Sequence, residues 1–305
     1  MKDSPLFKQA ELLLRILPIL NRESIFALKG GTAINFFVRD LPRLSVDIDL
    51  VYLPIKGRDQ SLLEISSALI TAEENILKLI PGTKSYRKTS SDYTIGLIIR
   101  TDSANVKIEP NTVIRGTVYK PVEYNLCTKG EELFELSVKI NSLTVEELYA
   151  GKICAALDRQ HPRDLYDIKL LLENEGITEP MRKAFIVYLI SHNRPIAELL
   201  RPNLTDIKEI YKKEFVGMAL DKVELDELIS VREILIKKIN NSLIENEREF
   251  LISFKSLEPK WDLLGLAEIE KLPAVKWKLI NLRKMDKKRH LESLRILANC
   301  LMKKI

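Results

Sequence analysis

Leu44-Ser45-Val46-Asp47-Ile48-Asp49-Leu50 decides the reading of this 305-residue chain. Strand side chains alternate between faces. Leu44, Val46, Ile48 and Leu50 therefore share one apolar face, and Ser45, Asp47 and Asp49 share the other. The alternation runs over 44–53 and predicts a strand. Two carboxylates at i and i+2 stand roughly 6–7 Å apart on one face. Unneutralised, they repel and shift each other's pKa; a divalent cation between them removes that conflict. Magnesium prefers hard oxygen ligands and is commonly held by one or two carboxylates plus substrate phosphates. An Asp-Ile-Asp strand is also how an ordinary solvated face reads, so the flanking sequence has to decide between the two.

Upstream, Ser24 to Leu28 reads as a short strand ending at Lys29-Gly30-Gly31, and Thr32 to Val38 as a helix stopped by Asp40-Leu41-Pro42. Gly30 and Gly31 let the backbone approach a phosphate closely. The helix start offers free N–H groups and a favourable dipole, and Thr32 adds a hydroxyl donor. Downstream, residues 61–80 have helical spacing and end at Pro81-Gly82. Tyr93–Ile99 and Ala104–Glu109 read as a strand pair around Thr101-Asp102-Ser103. In Val106-Lys107-Ile108-Glu109 the apolar residues again face one way and Lys107 and Glu109 the other. If this strand neighbours the first, Glu109 joins Asp47 and Asp49. Three clustered acids are what a two-metal phosphoryl or nucleotidyl transfer requires; Glu109 then binds a metal or accepts the proton of the attacking hydroxyl. An amphipathic helix over 5–20 and a further strand over 135–140 complete this part.

The pattern changes at Thr144, whose Glu147 three residues on makes a capping box. Beyond it the periodicity is helical, over roughly 145–158, 163–174, 180–191, 204–214, 222–250 and 275–303. The expected fold is α+β: a small α/β domain over 1–143, then a helical domain over 144–305.

Composition narrows the function classes. With 46% hydrophobic and 30% charged residues the chain reads as globular. No stretch approaches the roughly 20 apolar residues of a membrane span, so no membrane partner is expected. The run Leu12 to Leu20 is broken by Arg15 and Pro18, lacks a small-residue cleavage site, and reads as a helix, not a signal peptide. Cys127, Cys154 and Cys300 are isolated, as are His161, His192 and His290; any metal should be held by oxygen, and the thiols fit a reducing cytoplasm. Residues 271–305 hold eleven Lys/Arg against Asp286 and Glu292, a local net of +9 in a chain of net +5. Such a basic end contacts a polyanion or is a solvated helix face. Trp261 and Trp277 pack the helical part or stack on bases.

Gly30-Gly31-Thr32-Ala33 followed by Arg43 to Leu50, then Lys152 and Arg163-Asp164-Leu165-Tyr166-Asp167, is similar to the signature of the AbiEii/MenT toxin family of polymerase-β-like nucleotidyltransferases. The resemblance covers residues 25–175. It implies a polymerase-β-like α/β domain that takes an NTP with two magnesium ions and transfers a nucleotide to a hydroxyl. It places Ser45 and Asp47 at the metal and nucleotide centre, gives Lys152 a contact to the triphosphate, and has Asp167 complete the site. It implies a toxin with a cognate antitoxin, and the 3′ end of tRNA as acceptor. A protein or small-molecule acceptor, and a non-catalytic nucleotide- or nucleic-acid-binding module, are the rival readings. One departure stands out: the superfamily's third acid is often Asp, and here the candidate is Glu109 before Pro110. Without the resemblance, Arg163 and Asp167 read as an i,i+4 pair, and His161 as a helix-start residue.

Overall fold

Two glycines and a threonine turn the chain at the end of its first strand, and the sheet grows around that turn. The computed structural model describes residues 4–302; Met1 to Asp3 and Lys303 to Ile305, the last two basic residues of the C-terminal segment among them, lie outside the described residues. The chain divides into two compact units: residues up to Leu148 with Gly217–Asp221, and Tyr149–Val216 with Lys222 onwards.

The first unit begins with α1 (Pro5–Leu20), where Ser4 Oγ accepts from Phe7 N at 3.2 Å and Pro5 takes the first turn, a position that needs no N–H. Then follow β1 (Phe26–Lys29), α2 (Gly30–Ala33) running on as a π-helical turn over Ile34–Val38, β2 (Asp47–Tyr52) and α3 (Arg58–Leu79). β3 (Lys84–Ser90), β4 (Tyr93–Arg100), β5 (Asn105–Asn111), β6 (Val122–Asn125), α4 (Thr128–Phe134) and β7 (Lys139–Ser142) complete it. The seven strands form one mixed sheet in the order β3-β4-β5-β2-β1-β7-β6. β2–β5 and β1–β7 are parallel; the other neighbours are antiparallel.

The expected β4–β5 pair is present, and the parallel register sets Asp47 beside Lys107 and Asp49 beside Glu109. Ile48, Leu50, Leu97, Ile99, Val106 and Ile108 are buried on the opposite face; burying each such side chain contributes roughly 1.5–3 kcal/mol. Their burial fixes the register, because a one-residue slip would put every apolar side chain on the open face. Pro110 is tolerated in β5 because β4 pairing ends at Ile108, one residue before Glu109.

Two expectations shift. The strand read over 44–53 starts only at Asp47, because the preceding residues pair elsewhere. Gly217–Asp221 returns to the first unit: Arg43 bridges Ala219, Leu44 N donates to Met218 O (3.0 Å) and Leu220 N to Pro42 O (2.9 Å). The strand read over 135–140 is β7, four residues later at its start and two at its close; Glu135 instead ends α4 at φ 56.

The division between the units falls inside α5 (Val145–Arg159). The second unit continues with α6 (Pro162–Glu173), α7 (Glu179–Ser191), α8 (Ile196–Leu200), α9 (Lys208–Glu214), α10 (Leu225–Ser242), α11 (Glu245–Lys255), α12 (Pro273–Arg283) and α13 (Lys287–Met302). The helix expected over 222–250 breaks at Leu243 and Ile244. There Glu247 Oε2, at the third helical position, accepts from Ile244 N at 3.0 Å and so satisfies the N–H of the residue that opens α11. The helix expected over 275–303 breaks before Lys287, where Asp286 Oδ1 accepts from Arg289 N at 3.1 Å. No helix among the described residues is long and apolar enough to cross a membrane.

Candidate active site

Asp49 rests against a backbone with no side chain. Gly30 has φ +76, and a Cβ built there would stand 2.4 Å from Asp49 Oδ2. Only glycine tolerates both the left-handed backbone and that contact. At Gly31 an added Cβ would meet an Arg43 guanidinium nitrogen at 2.8 Å and Ser45 Oγ at 3.3 Å. The glycine pair is thus cut to fit Arg43, Ser45 and Asp49.

Thr32 ties the turn to the strand. Its hydroxyl donates to the Asp47 carbonyl at 2.6 Å and lies 2.9 Å from Ser45 Oγ. Thr32 and Ser45 are buried, while Asp47 and Asp49 are half-buried on the open face. Arg43 is also buried, its guanidinium donating to Leu44 O at 2.9 Å. Gly30, Gly31, Thr32, Ser45, Asp47 and Asp49 are therefore brought together as one assembly. Ser45 is placed by the Thr32 contact, since it lies before the strand begins.

Glu109 stands in register beside Asp49 on the same face. Its Oε1 lies 2.9 Å from Lys88 Nζ, with both side chains substantially exposed (43% and 59%). A pair so wet is worth at most about 1 kcal/mol and exchanges readily. Among the described residues, no three His, Cys, Asp or Glu side chains converge as a preformed metal cage. Lys88 is a neighbour that sequence patterning missed, because β3 is exposed along nearly its whole length and carries no apolar alternation.

Lys152 and Asp167 belong to the second unit. Lys152 Nζ lies 2.9 Å from Asp164 Oδ1 and 2.9 Å from Asp167 Oδ2, and all three are buried. Arg159 adds a two-point contact to Asp164 at 2.5 and 3.0 Å. Burial pushes the Asp164 carboxyl up, but the Lys152 charge and Arg159 outweigh it, so its pKa lies well below the usual carboxylate range. Asp164 stands in the sequence motif but reads there only as part of a helix-start charge arrangement with Arg163 and Asp167; its place three residues before Asp167 on one helix face was the available signal. The i,i+4 pairing of Arg163 with Asp167 does not describe the structure: the Asp167 carboxylate meets Lys152, and Arg163 faces Glu214 at 3.8 Å. The small residues beside Lys152 serve packing, since a Cβ on Gly151 would approach the Tyr188 ring at 3.1 Å.

His161 opens α6. Its Nδ1 accepts from Arg163 N at 3.1 Å, which leaves the proton on Nε2, 3.1 Å from Glu214. Burial lowers its pKa, with the Glu214 contact opposing. Trp261 packs with Phe250 and Phe254, ring centres 5.8 and 6.2 Å away, whereas Trp277 is exposed. The three cysteines are free thiols.

Comparison with known proteins gives one family. The profile described as "Nucleotidyl transferase AbiEii toxin, Type IV TA system" matches residues 11–279. Among solved structures, the chain is similar to MenT4, a nucleotidyltransferase toxin from Mycobacterium tuberculosis H37Rv. The TM-score is 0.59 at 12% identity, over 97% of this chain and 94% of that one, a likeness of fold. A search of curated protein sequences returns no significant match.

Proposed function

The chain belongs to the AbiEii nucleotidyltransferase toxin family, and we propose that its open carboxylate face transfers a nucleotide from an NTP to the hydroxyl of an RNA end, with tRNA as the acceptor. The observation that carries this reading is the seating of Asp49 against Gly30, with Asp47 two residues away on the same face. Nothing in a structural role requires a carboxylate to be pressed on a bare backbone at the open side of a sheet.

The residues present fit magnesium. The donor set is all oxygen, the two aspartates share one face, and Gly30 leaves the Asp49 carboxylate uncovered by any side chain of its own. Asp47 and Asp49 would hold the metal, with Glu109 as the further oxygen donor of a two-ion site or as the proton acceptor. When bound, the metal neutralises phosphate charge there.

The acceptor hydroxyl attacks the α-phosphorus of the NTP. A new P–O ester bond forms while the bond to the β-phosphate oxygen breaks, and pyrophosphate leaves with the electron pair. The hydroxyl proton passes to a carboxylate, for which Glu109 stands beside Asp49. Gly30 and Gly31 let Asp49 and the Arg43 guanidinium close on the turn that faces the phosphates, and Thr32 and Ser45 hold the Asp47 strand start in place. We assign the triphosphate contact to Lys152, held by Asp164 and Asp167; supporting this, a buried ion group stabilises a fold no better than well-packed apolar side chains of the same volume. A toxin of this family has a cognate antitoxin as partner, and the cytoplasm is the compartment we assign.

The test incubates the protein with each labelled NTP, magnesium and total cell RNA. Label in a tRNA-sized fraction from one NTP is the expected result. Label in protein, or in a small molecule, would replace the RNA acceptor with one of those classes.

A further inference from the structure

The carboxylate face does not stop at Glu109. It continues over β5, β4 and β3 as a single open surface with a charge of opposite sign. Arg87 and Glu73 pair at 2.6 Å, and Thr94 N donates to Ser66 Oγ at 2.9 Å, so one side of β3 and β4 is closed by α3. The residues between face the other way. Register lines them up in rows: Lys84 opposite Arg100, which is opposite Asn105; Tyr86 opposite Ile98, which is opposite Lys107, which is opposite Asp47. Lys88 lies opposite Gly96, and its stem passes 3.6–3.7 Å from where a Gly96 Cβ would be, which lets its ammonium reach Glu109.

Lys84, Lys88, Arg100 and Lys107 are exposed, and Lys84, Arg100 and Lys107 have no ion-pair partner among the described residues. Tyr86 is half exposed, and the Arg100 guanidinium lies over its ring at 4.9 Å. The pairing of β3 slips between Lys88 and Thr89, a bulge of the kind that re-aims side chains next to functional sites. The face spans three strand spacings from β2, about 14 Å.

We propose that this face of β3, β4 and β5 docks the acceptor as a single-stranded polynucleotide end, which rests on the nucleotidyl-transfer reading above. Four cations spaced by the sheet take successive backbone phosphates, and the exposed Tyr86 ring, steadied by Arg100, stacks a base. The strand rows lead from Lys107 and Lys88 directly to Asp47 and, through Glu109, to Asp49, so the terminal hydroxyl of a strand laid across them arrives at the carboxylates. A flat sheet suits unstacked bases. Lys88 does double duty: a phosphate that draws its ammonium away uncovers Glu109, so docking of the acceptor and exposure of the third carboxylate occur together.

The test measures binding of a fluorescent single-stranded RNA dodecamer to the full chain by anisotropy across salt concentrations, without NTP, alongside calorimetric binding of NTP with magnesium. Lys84→Glu/Lys107→Glu should weaken RNA binding at least tenfold and flatten the slope of log K against log salt by about 1.4, two contacts at about 0.7 each for single strands. Tyr86→Ala should weaken it about tenfold, and Tyr86→Trp should restore it. NTP binding should be unchanged in Tyr86→Ala and Tyr86→Trp, and Lys84→Glu/Lys107→Glu, whose residue 107 lies beside Asp47, should melt at the parent's temperature, which shows that all three fold. Wild-type RNA affinity in Lys84→Glu/Lys107→Glu overturns the proposal, and so does loss of RNA binding only in Lys287→Glu/Lys288→Glu/Arg289→Glu, which would move docking to α13. An acidic peptide that displaces the RNA at equal charge and is insensitive to Tyr86→Ala overturns it in favour of a protein partner. If the face binds RNA as described but no NTP labels any acceptor, the docking stands and the transfer reading falls.

Discussion

Gly30 concentrates the most constraint on a single residue. A methyl group there meets both a backbone at φ +76 and the Asp49 carboxylate at 2.4 Å. Gly30→Ala should cost about 1–3 kcal/mol of stability through backbone strain and, by displacing Asp49, should cut turnover more than tenfold; thermal melts and initial rates check the two separately. Asp47→Ala and Asp49→Ala should differ in kind. Both side chains lie on the open face, so transfer should fall at least 100-fold while the melting temperature stays near that of the parent. Melting that collapses with activity would mean the aspartates hold the fold. Asp47, Asp49 and Glu109 were legible in the sequence because strand parity is a two-residue rule that needs no tertiary knowledge. Lys88 was not, since no local pattern distinguishes it from a surface charge; Asp164 carried a signal in its spacing from Asp167, but its partners Lys152 and Arg159 come only through folding. Ser45 was legible as a neighbour of the acids, but its place came from Thr32 and the Arg43 segment, not from the strand.

Between elements, the buried group of Lys152, Arg159, Asp164 and Asp167 joins α5 to α6. Removing one partner strands a charge, so Asp164→Asn should destabilise the chain by roughly 3–5 kcal/mol. The folded pKa of Asp164 is depressed. Its stabilisation is therefore complete above the unfolded carboxylate value, about 3.9, and is lost as pH falls through the lower folded value. The stability gap between parent and Asp164→Asn should be constant from pH 7 to about 5 and close only in strong acid. A gap that closes near neutrality would remove Asp164 from this role. Element existence was readable where one face is buried, as in α1, α3, β2, β4 and β5. It failed for β3, which is exposed, and for β6 and α4, which are too short to show a period. The break between α10 and α11 was hidden because Ile244 offers no side-chain acceptor at the helix start. The break before α13 carries Asp286, a conventional N-cap signal that the long basic run masked.

For the whole molecule, the α+β fold class follows from the change of periodicity at Thr144. The return of Gly217–Asp221 to the first unit had no signature in the sequence, because bridging Arg43 to Ala219 takes backbone hydrogen bonds that any residues supply. Its partner segment leads straight into Asp47. Replacing Leu220 with proline removes the N–H that donates to Pro42 O, whereas Met218 supplies only its carbonyl to Leu44, so Leu220→Pro should lower activity more than Met218→Pro, as initial rates would show. The basic end over 271–305 and the cationic sheet face are separate sources of positive charge, and salt dependence of each charge-reversed variant assigns the RNA contacts between them.

The central claim is that Asp47 and Asp49 carry nucleotidyl transfer, and single-turnover transfer of label from an NTP to RNA tests it most directly. Parent protein with magnesium should place label on the RNA terminus, chelator should abolish it, and Asp47→Asn and Asp49→Asn should each lose it while retaining the parent's RNA affinity. Undiminished labelling by either variant would contradict the account.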